Sequence, residues 1–124
     1  MTIARQRTGR VGEDRACDLL TGRGYAILAR NPRTRAGELD AVALDRGTLV
    51  FVEVKTMRTG ARSGPERPVL AVGPRKQLQI RRLARAWLAE NRPPRHRAIR
   101  FDVIGVTLDP GNTAVAIEHI ENAF

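Results

Sequence analysis

Lysine is almost missing from this chain: of 22 basic residues only Lys55 and Lys76 are lysines, and the rest are arginine. Cys17 is the lone cysteine, which excludes an intrachain disulfide and any cysteine-based zinc site. One Trp, one Tyr and three Phe leave few rings outside a core, too few for the base-stacking platform of a dedicated single-strand binder. His96 and His119 stand isolated, without metal-ligand spacing to a partner. No run approaches the ~20 apolar residues of a membrane span, and Met1 to Arg10 holds no apolar stretch that could act as a signal peptide. A soluble, cytoplasmic protein with no membrane partner is expected. A nucleophilic Ser with a partner His, a Walker loop and a Gly-x-Gly-x-x-Gly are all absent.

What is present suits one globular domain spanning residues 1–124, with 42% hydrophobic residues. The net charge of +9 argues for a polyanionic partner, most simply nucleic acid. The plain alternative is an arginine-rich composition whose surface merely became basic.

The chain predicts a β-hairpin from Glu38–Leu44 and Thr48–Thr56 around the turn signal Asp45-Arg46-Gly47-Thr48. If Arg46 and Gly47 form a two-residue loop, Asp45 pairs with Thr48, Asp40 faces Glu53, and Glu38 faces Lys55. Like charges directly opposed on neighbouring strands are destabilising, so two facing carboxylates need a reason. A bound divalent cation is the obvious one. In the second strand Leu49 and Phe51 share one face, while Val50, Val52 and Val54 share the other. That pattern predicts a central strand covered on both sides. Where the Phe51 face changes to Glu53 and Lys55, the core gives way to a cleft.

A first helix is expected from about Thr8 to Arg23, with Ala16, Cys17, Leu19 and Leu20 on one face and Glu13 in the middle of it. A carboxylate on a core-facing stripe is costly unless paired or coordinating, although Glu13 also reads as an acid of the first turn. Tyr25 to Ala29 reads as a strand running into an Asn31-Pro32 turn. Met57 to Val72, rich in Gly, Arg and Pro, is a longer connection than structure requires, which favours a mobile or ligand-contacting loop. Pro74 opens a second helix whose buried stripe is Ile80, Leu83, Ala84, Trp87 and Leu88, ending near Asn91. Ala98–Leu108 and Thr113–Ile120 form a last hairpin around Asp109-Pro110-Gly111-Asn112. Asp102, on the face opposite Phe101, is expected to tether a basic neighbour. The order α-β-β-β-α-β-β gives an α/β sheet flanked by helices.

Oxygen donors select hard cations, so Asp40 and Glu53 point to Mg²⁺ or Mn²⁺ rather than zinc. A metal so held acidifies a bound water and offsets charge on a phosphate, and Lys55 lies on the same face as Glu53. These parts would hydrolyse a phosphodiester. A surface ion-pair network, with Lys55 between Glu38 and Glu53, is the alternative.

Gly9-Arg10-x-Gly12-Glu13, Asn31-Pro32-Arg33, Gly37-Glu38-Leu39-Asp40, Leu49 to Lys55, Arg100 to Ile104 and the closing Asn122-Ala123-Phe124 resemble the YraN family of predicted bacterial endonucleases. The resemblance covers nearly the whole chain. It implies a restriction-endonuclease-like αβββαβ core, a mixed sheet flanked by two helices, of the PD-(D/E)xK and Holliday-junction-resolvase type. By that resemblance Asp40 matches the motif aspartate, Glu53 and Lys55 the (D/E)xK pair, and Glu13 the resolvase-like glutamate on the first helix. The Val54 carbonyl would be a further metal ligand. Leu39 stands where the motif has proline. A homodimer, formed through the last strand, would follow by analogy with resolvase-like proteins.

Arg58 and Arg62 in the loop, and Arg75, Lys76 and Gln77 at the start of the second helix, are the expected phosphate contacts. The reading is a Mg²⁺-dependent endonuclease acting on DNA, including branched or structured forms. A nucleic-acid-binding or recombination-accessory protein that keeps the fold without turnover is the runner-up, and an RNA-directed nuclease is a third reading.

Overall fold

The computed structural model describes residues 3–61 and 64–124, so the expected contact at Arg62 lies outside the described residues. The Arg46-Gly47 turn builds the centre of the fold. Strands β4 (Ala41–Asp45) and β5 (Thr48–Arg58) pair antiparallel from Asp45↔Thr48 to Ala41↔Val52, the expected register. Arg46 and Gly47 both adopt positive φ, 50° and 85°, the two-residue loop whose twist matches that of its strands. Arg46 is strained there. Arg97 offsets this, donating its backbone N–H to the Gly47 carbonyl at 2.9 Å and its guanidinium to the Arg46 carbonyl at 3.1 Å.

The first hairpin strand is shorter than expected. After β1 (Ala26–Arg30), β2 (Arg33–Thr34) and β3 (Gly37–Glu38) fold out as a separate two-stranded ribbon in which Arg33 pairs with Glu38. The expected pairing of Lys55 with Glu38 is therefore not made. The cause is local: Asn31 donates to the Asp40 carbonyl at 2.9 Å and Leu39 to the Pro32 carbonyl at 3.1 Å, which pinches residues 32–39 off as their own loop.

Strands β6 (Ala98–Leu108) and β7 (Ala114–Ile120) complete a sheet of order β1-β4-β5-β6-β7. Only β5–β6 is parallel, and the helix α2 (Pro74–Glu90) lies between those two strands in sequence. The result is the mixed α/β sheet expected, with a helix on each face. Helix α1 runs Ile3–Gly22, starting before Thr8 because its first turns are helix-favouring but carry no apolar period. Ala16, Cys17 and Leu20 of α1 pack on Val50, Val52, Val54, Ile104 and Val106. Ile80, Leu83, Ala84 and Trp87 of α2 pack on Leu49, Phe51, Phe101 and Val103. Trp87 meets Phe51 edge-on at 5.8 Å, and the exposed Arg81 lies 4.7 Å above the Phe101 ring. Among the described residues no helix is long and apolar enough to cross a membrane.

Asp102 is fully buried and fully partnered. Arg100 grips it through two donors at 2.8 and 3.0 Å, His119 Nε2 lies at 2.8 Å, and the Asn122 N–H donates at 3.0 Å. His119 is thus not isolated, contrary to expectation: Arg23 contacts its other ring nitrogen at 2.6 Å. The loop after β5 is less free than its composition implies. Its Pro68–Ala71 3-10 turn seats against Gly105, and Arg67 forms an ion pair with Glu118 on β7.

Candidate active site

Strand β5 outruns β4, and the candidate site lies where it does so. The β4 ladder stops at Ala41↔Val52, leaving the Val54 N–H without a strand partner on that side. Asp40, at the corner before β4, supplies the acceptor: its Oδ2 takes the Val54 N–H at 2.8 Å. In an antiparallel ladder the N–H and C=O of one residue point to the same side. The Val54 carbonyl is therefore also directed past the end of β4.

Glu53 is 7% exposed, with its Oε1 3.9 Å from Lys55 Nζ and 3.6 Å from Lys76 Nζ. Lys55 follows it on the same strand face, and Lys76 reaches down from the first turn of α2. Both lysines of the chain therefore meet one carboxylate. Glu13 arrives from α1, which can approach only because residue 12 is glycine: a Cβ there would lie 1.8 Å from Thr56 Oγ1. Asp40 lies close enough to Glu13 and Glu53 to raise both carboxyls, and Asn31 lines the same cleft as Glu13 and acts on it in the opposite sense.

Crowding has an electrostatic consequence. Burial, followed by the charge of Asp40, pushes the carboxyls of Glu13 and Glu53 up to about 7, against the opposing pull of Lys76 and Lys55 on Glu53. Each raised carboxyl marks an ionised form made costly by burial and then by Asp40, a cost that a cation would offset. An open cleft of about 600 Å³ runs over the three acids, lined by Thr8, Gly9, Val54, Lys55, Thr56, Met57 and Arg58.

Among the described residues no three Asp, Glu, His or Cys side chains form a ready-made metal cage. The acids are instead strung together through Asp40 as the shared neighbour. This donor set fits a hard, heavily hydrated cation, which needs only one or two carboxylates and keeps waters in its other positions.

The other sequence-selected residues divide. Arg75 is exposed on the first turn of α2, where it is available to a ligand. Gln77 spends its Nε2 on the Val72 carbonyl at 3.1 Å, holding the loop to the helix. Arg58 lines the cleft but donates to the Asp109 carbonyl, Thr8 Oγ1 and Asn112 Oδ1 at 2.7–3.0 Å, so it ties three elements together. Lys76 sits in the acidic site itself rather than on an outer phosphate-binding rim. Sequence reasoning did not foresee Asn31 beside Glu13 in one cleft, although Asn31-Pro32 marked the turn that brings it there.

A family model described as uncharacterised protein family UPF0102 matches residues 12–106, a span that includes Glu13, Asp40, Glu53, Lys55 and Lys76. The chain is 51% identical to a UPF0102 protein of Trichlorobacter lovleyi over 120 residues, covering 96% of this chain and 91% of that one. It is 47% identical to a UPF0102 protein of Streptomyces griseus over 116 residues, 94% of each chain. A UPF0102 protein of a Parafrankia species is 51% identical over 122 residues, 96% of this chain and 97% of the relative.

Proposed function

The chain belongs to the uncharacterised protein family UPF0102, the YraN family, and from its cleft we propose a metal-dependent nuclease that hydrolyses phosphodiesters of DNA. One observation carries the reading: Asp40 is flanked by two carboxyls held protonated to about 7, beside both lysines of the chain, in an open cleft. A purely structural ion-pair cluster would balance its charges. Here three acids converge on one corner, and two of them are forced upward in pKa.

Mg²⁺ or Mn²⁺ held by Asp40, Glu53, Glu13 and the Val54 carbonyl would supply a water of lowered pKa and positive charge beside the phosphate. Lys55 and Lys76, within 3.9 Å of Glu53, would lie beside an attacking water and a developing phosphorane. Asp40 does double duty, since its Oδ2 accepts the Val54 N–H while the residue also lines the cleft. The net charge of +9 would bring a polyanion to the site by long-range attraction.

The missing ready-made cage favours one competing reading, a nucleic-acid-binding protein that keeps this fold without turnover. A single assay separates them. Branched, nicked, linear and RNA substrates are incubated with Mg²⁺, Mn²⁺ or EDTA, alongside Asp40→Asn and Lys55→Ala. Metal-dependent cleavage lost in both variants supports the nuclease. Cleavage equal in parent and variants indicates contamination, and binding in EDTA without cleavage anywhere favours the accessory protein.

A further inference from the structure

The central cleft does not end at the acids. A second cleft of about 500 Å³ adjoins it, sharing Glu13 and Gly9 and continuing past Gln6, Arg10, Asn31, Arg33 and Glu38. On the other side a smaller one of about 200 Å³ shares Lys55, Thr56 and Met57 and continues along Pro65, Pro68 and Ala71. The acids therefore sit midway along a groove that is open in both directions. A site for a small phosphate ester, or for the last nucleotide of a chain, would be closed on one side.

The two arms differ in chemistry. Arg10 and Arg33 are exposed in the first, and Arg10 makes no hydrogen bond or ion pair among the described residues. Arg33 makes only a long contact to Glu38, 3.8 Å, with the arginine side chain 86% exposed. A contact of that kind is worth little and yields readily to a competing anion. Asn31 adds an amide donor or acceptor beside them. Among the described residues no aromatic side chain lines this arm, so nothing there would stack a base. The opposite arm, beyond Lys55 where it joins the central cleft, is mostly apolar and offers van der Waals surface.

We propose that Arg10 and Arg33 form a phosphate subsite that holds a continuous nucleic-acid strand on one side of the cleaved bond, the strand passing over Glu13 and on toward Met57 and Pro68. The subsite rests on the nuclease reading above and makes it specific: the strand is cut internally, and it is gripped by its backbone without regard to sequence.

The test is a binding titration in EDTA, so that no turnover is required. Labelled single-stranded DNA and RNA oligonucleotides, linear and covalently circular, are titrated against the parent protein, Arg10→Ala/Arg33→Ala, and Arg92→Ala/Arg95→Ala. The control pair removes the same charge beyond the far end of α2, outside the groove. The groove double variant is expected to bind about tenfold more weakly, with a salt slope smaller by about 1.4 on single strands. The control should change less than about twofold, and circles should bind as well as linear strands. Equal weakening by the control, an unchanged groove variant, or a requirement for a free end would overturn the subsite while leaving the metal site untouched. A parent protein that binds none of these strands would likewise overturn the subsite, whereas the nuclease reading stands or falls separately, on cleavage of the branched, nicked and linear substrates above. Melting temperatures of the variants separate lost contacts from lost folding.

Discussion

Glu53 makes a stability prediction whose sign is unusual. Its carboxyl is raised from an ordinary 4.5 to about 7, first by burial and then by the charge of Asp40. Between those values the folded protein holds a proton that the unfolded chain has already released. Stability must therefore fall as pH rises across that window, and the penalty is fully present above it. For a group shifted from 4.5 to about 7, the loss between pH 5 and pH 8 integrates to roughly 2–3 kcal/mol. Glu13 titrates in the same direction and, being partly exposed, adds less. Asp102 acts at the other end of the scale. Burial alone would raise its carboxyl, but the donors from His119, Arg100 and Asn122 outweigh this and hold it below the ordinary value. Its contribution is lost only as pH falls through the lowered value, so the metal-free protein should be most stable near pH 5.

Urea unfolding of the metal-free protein at pH 5 and pH 8 measures this directly. A difference of that size moves the midpoint by roughly 1–2 M at the m-values of small domains. Glu53→Gln, which cannot ionise, should gain most of that at pH 8 and nothing at pH 5. Millimolar Mg²⁺ should recover a similar part of the parent's loss at pH 8 and leave Glu53→Gln almost unmoved. A parent protein more stable at pH 8 than at pH 5, or a Glu53→Gln variant with the parent's pH profile, would refute the crowding argument.

Gly12→Ala should lower the melting temperature and, more sharply, any metal-dependent cleavage. The new Cβ collides with Thr56, pushing α1 and Glu13 off β5, and overpacking of this kind costs ~1–3 kcal/mol. Adding Thr56→Ala removes the nearest contact and should recover part of both, whereas no recovery would mean that Gly12 serves something other than close approach. Asp102→Asn leaves the Arg100 charge poorly matched in a buried network and should destabilise by about 3–5 kcal/mol, read as a lower urea midpoint with unchanged metal affinity. Trp87→Ala should cost ~3–5 kcal/mol for the cavity left against Phe51, and a calorimetric loss under 1 kcal/mol would show that α2 is poorly packed.

The hairpin was legible because its signals are local. A positive-φ turn at Arg46-Gly47 and two alternating strands fix the register as far as Ala41↔Val52, which leaves residue 40 one step past the last ladder pair, at the level of residue 53. Both helix faces were legible for the same reason, since apolar period reports which side is covered. What sequence period cannot report is where a strand stops. Glu38 reads as a continuation of β4, and only the bonds from Asn31 and Leu39 to distant carbonyls reveal that the chain leaves the sheet there. Long-range polar partners were equally hidden. His119 and Asp102 lie 17 residues apart and Arg23 lies 96 residues from His119, so no spacing rule joins them. Lys76 reads as a phosphate contact because its own helix terminus gives that signal. Its place beside Glu53 has no such local signal, since the two meet across a chain crossing that sequence does not display.

The early end of β4 is what makes the site. Had the strand continued through Glu38, residue 40 would be an ordinary ladder position with its backbone paired to β5. Val54 would then be bonded to a strand rather than to a side chain. Because the chain turns away at Asp40, one turn of β5 backbone is left bare, and the Asp40 carboxylate bends back to cap it. That bend carries the carboxylate into the gap between α1 and β5, where Glu13 waits, and leaves it beside Glu53. The ribbon of β2 and β3, expelled by the same turn, becomes a wall of the second cleft and brings Arg33 to it. A single interruption in the β4–β5 ladder thus accounts for the clustered acids and for the groove that passes over them.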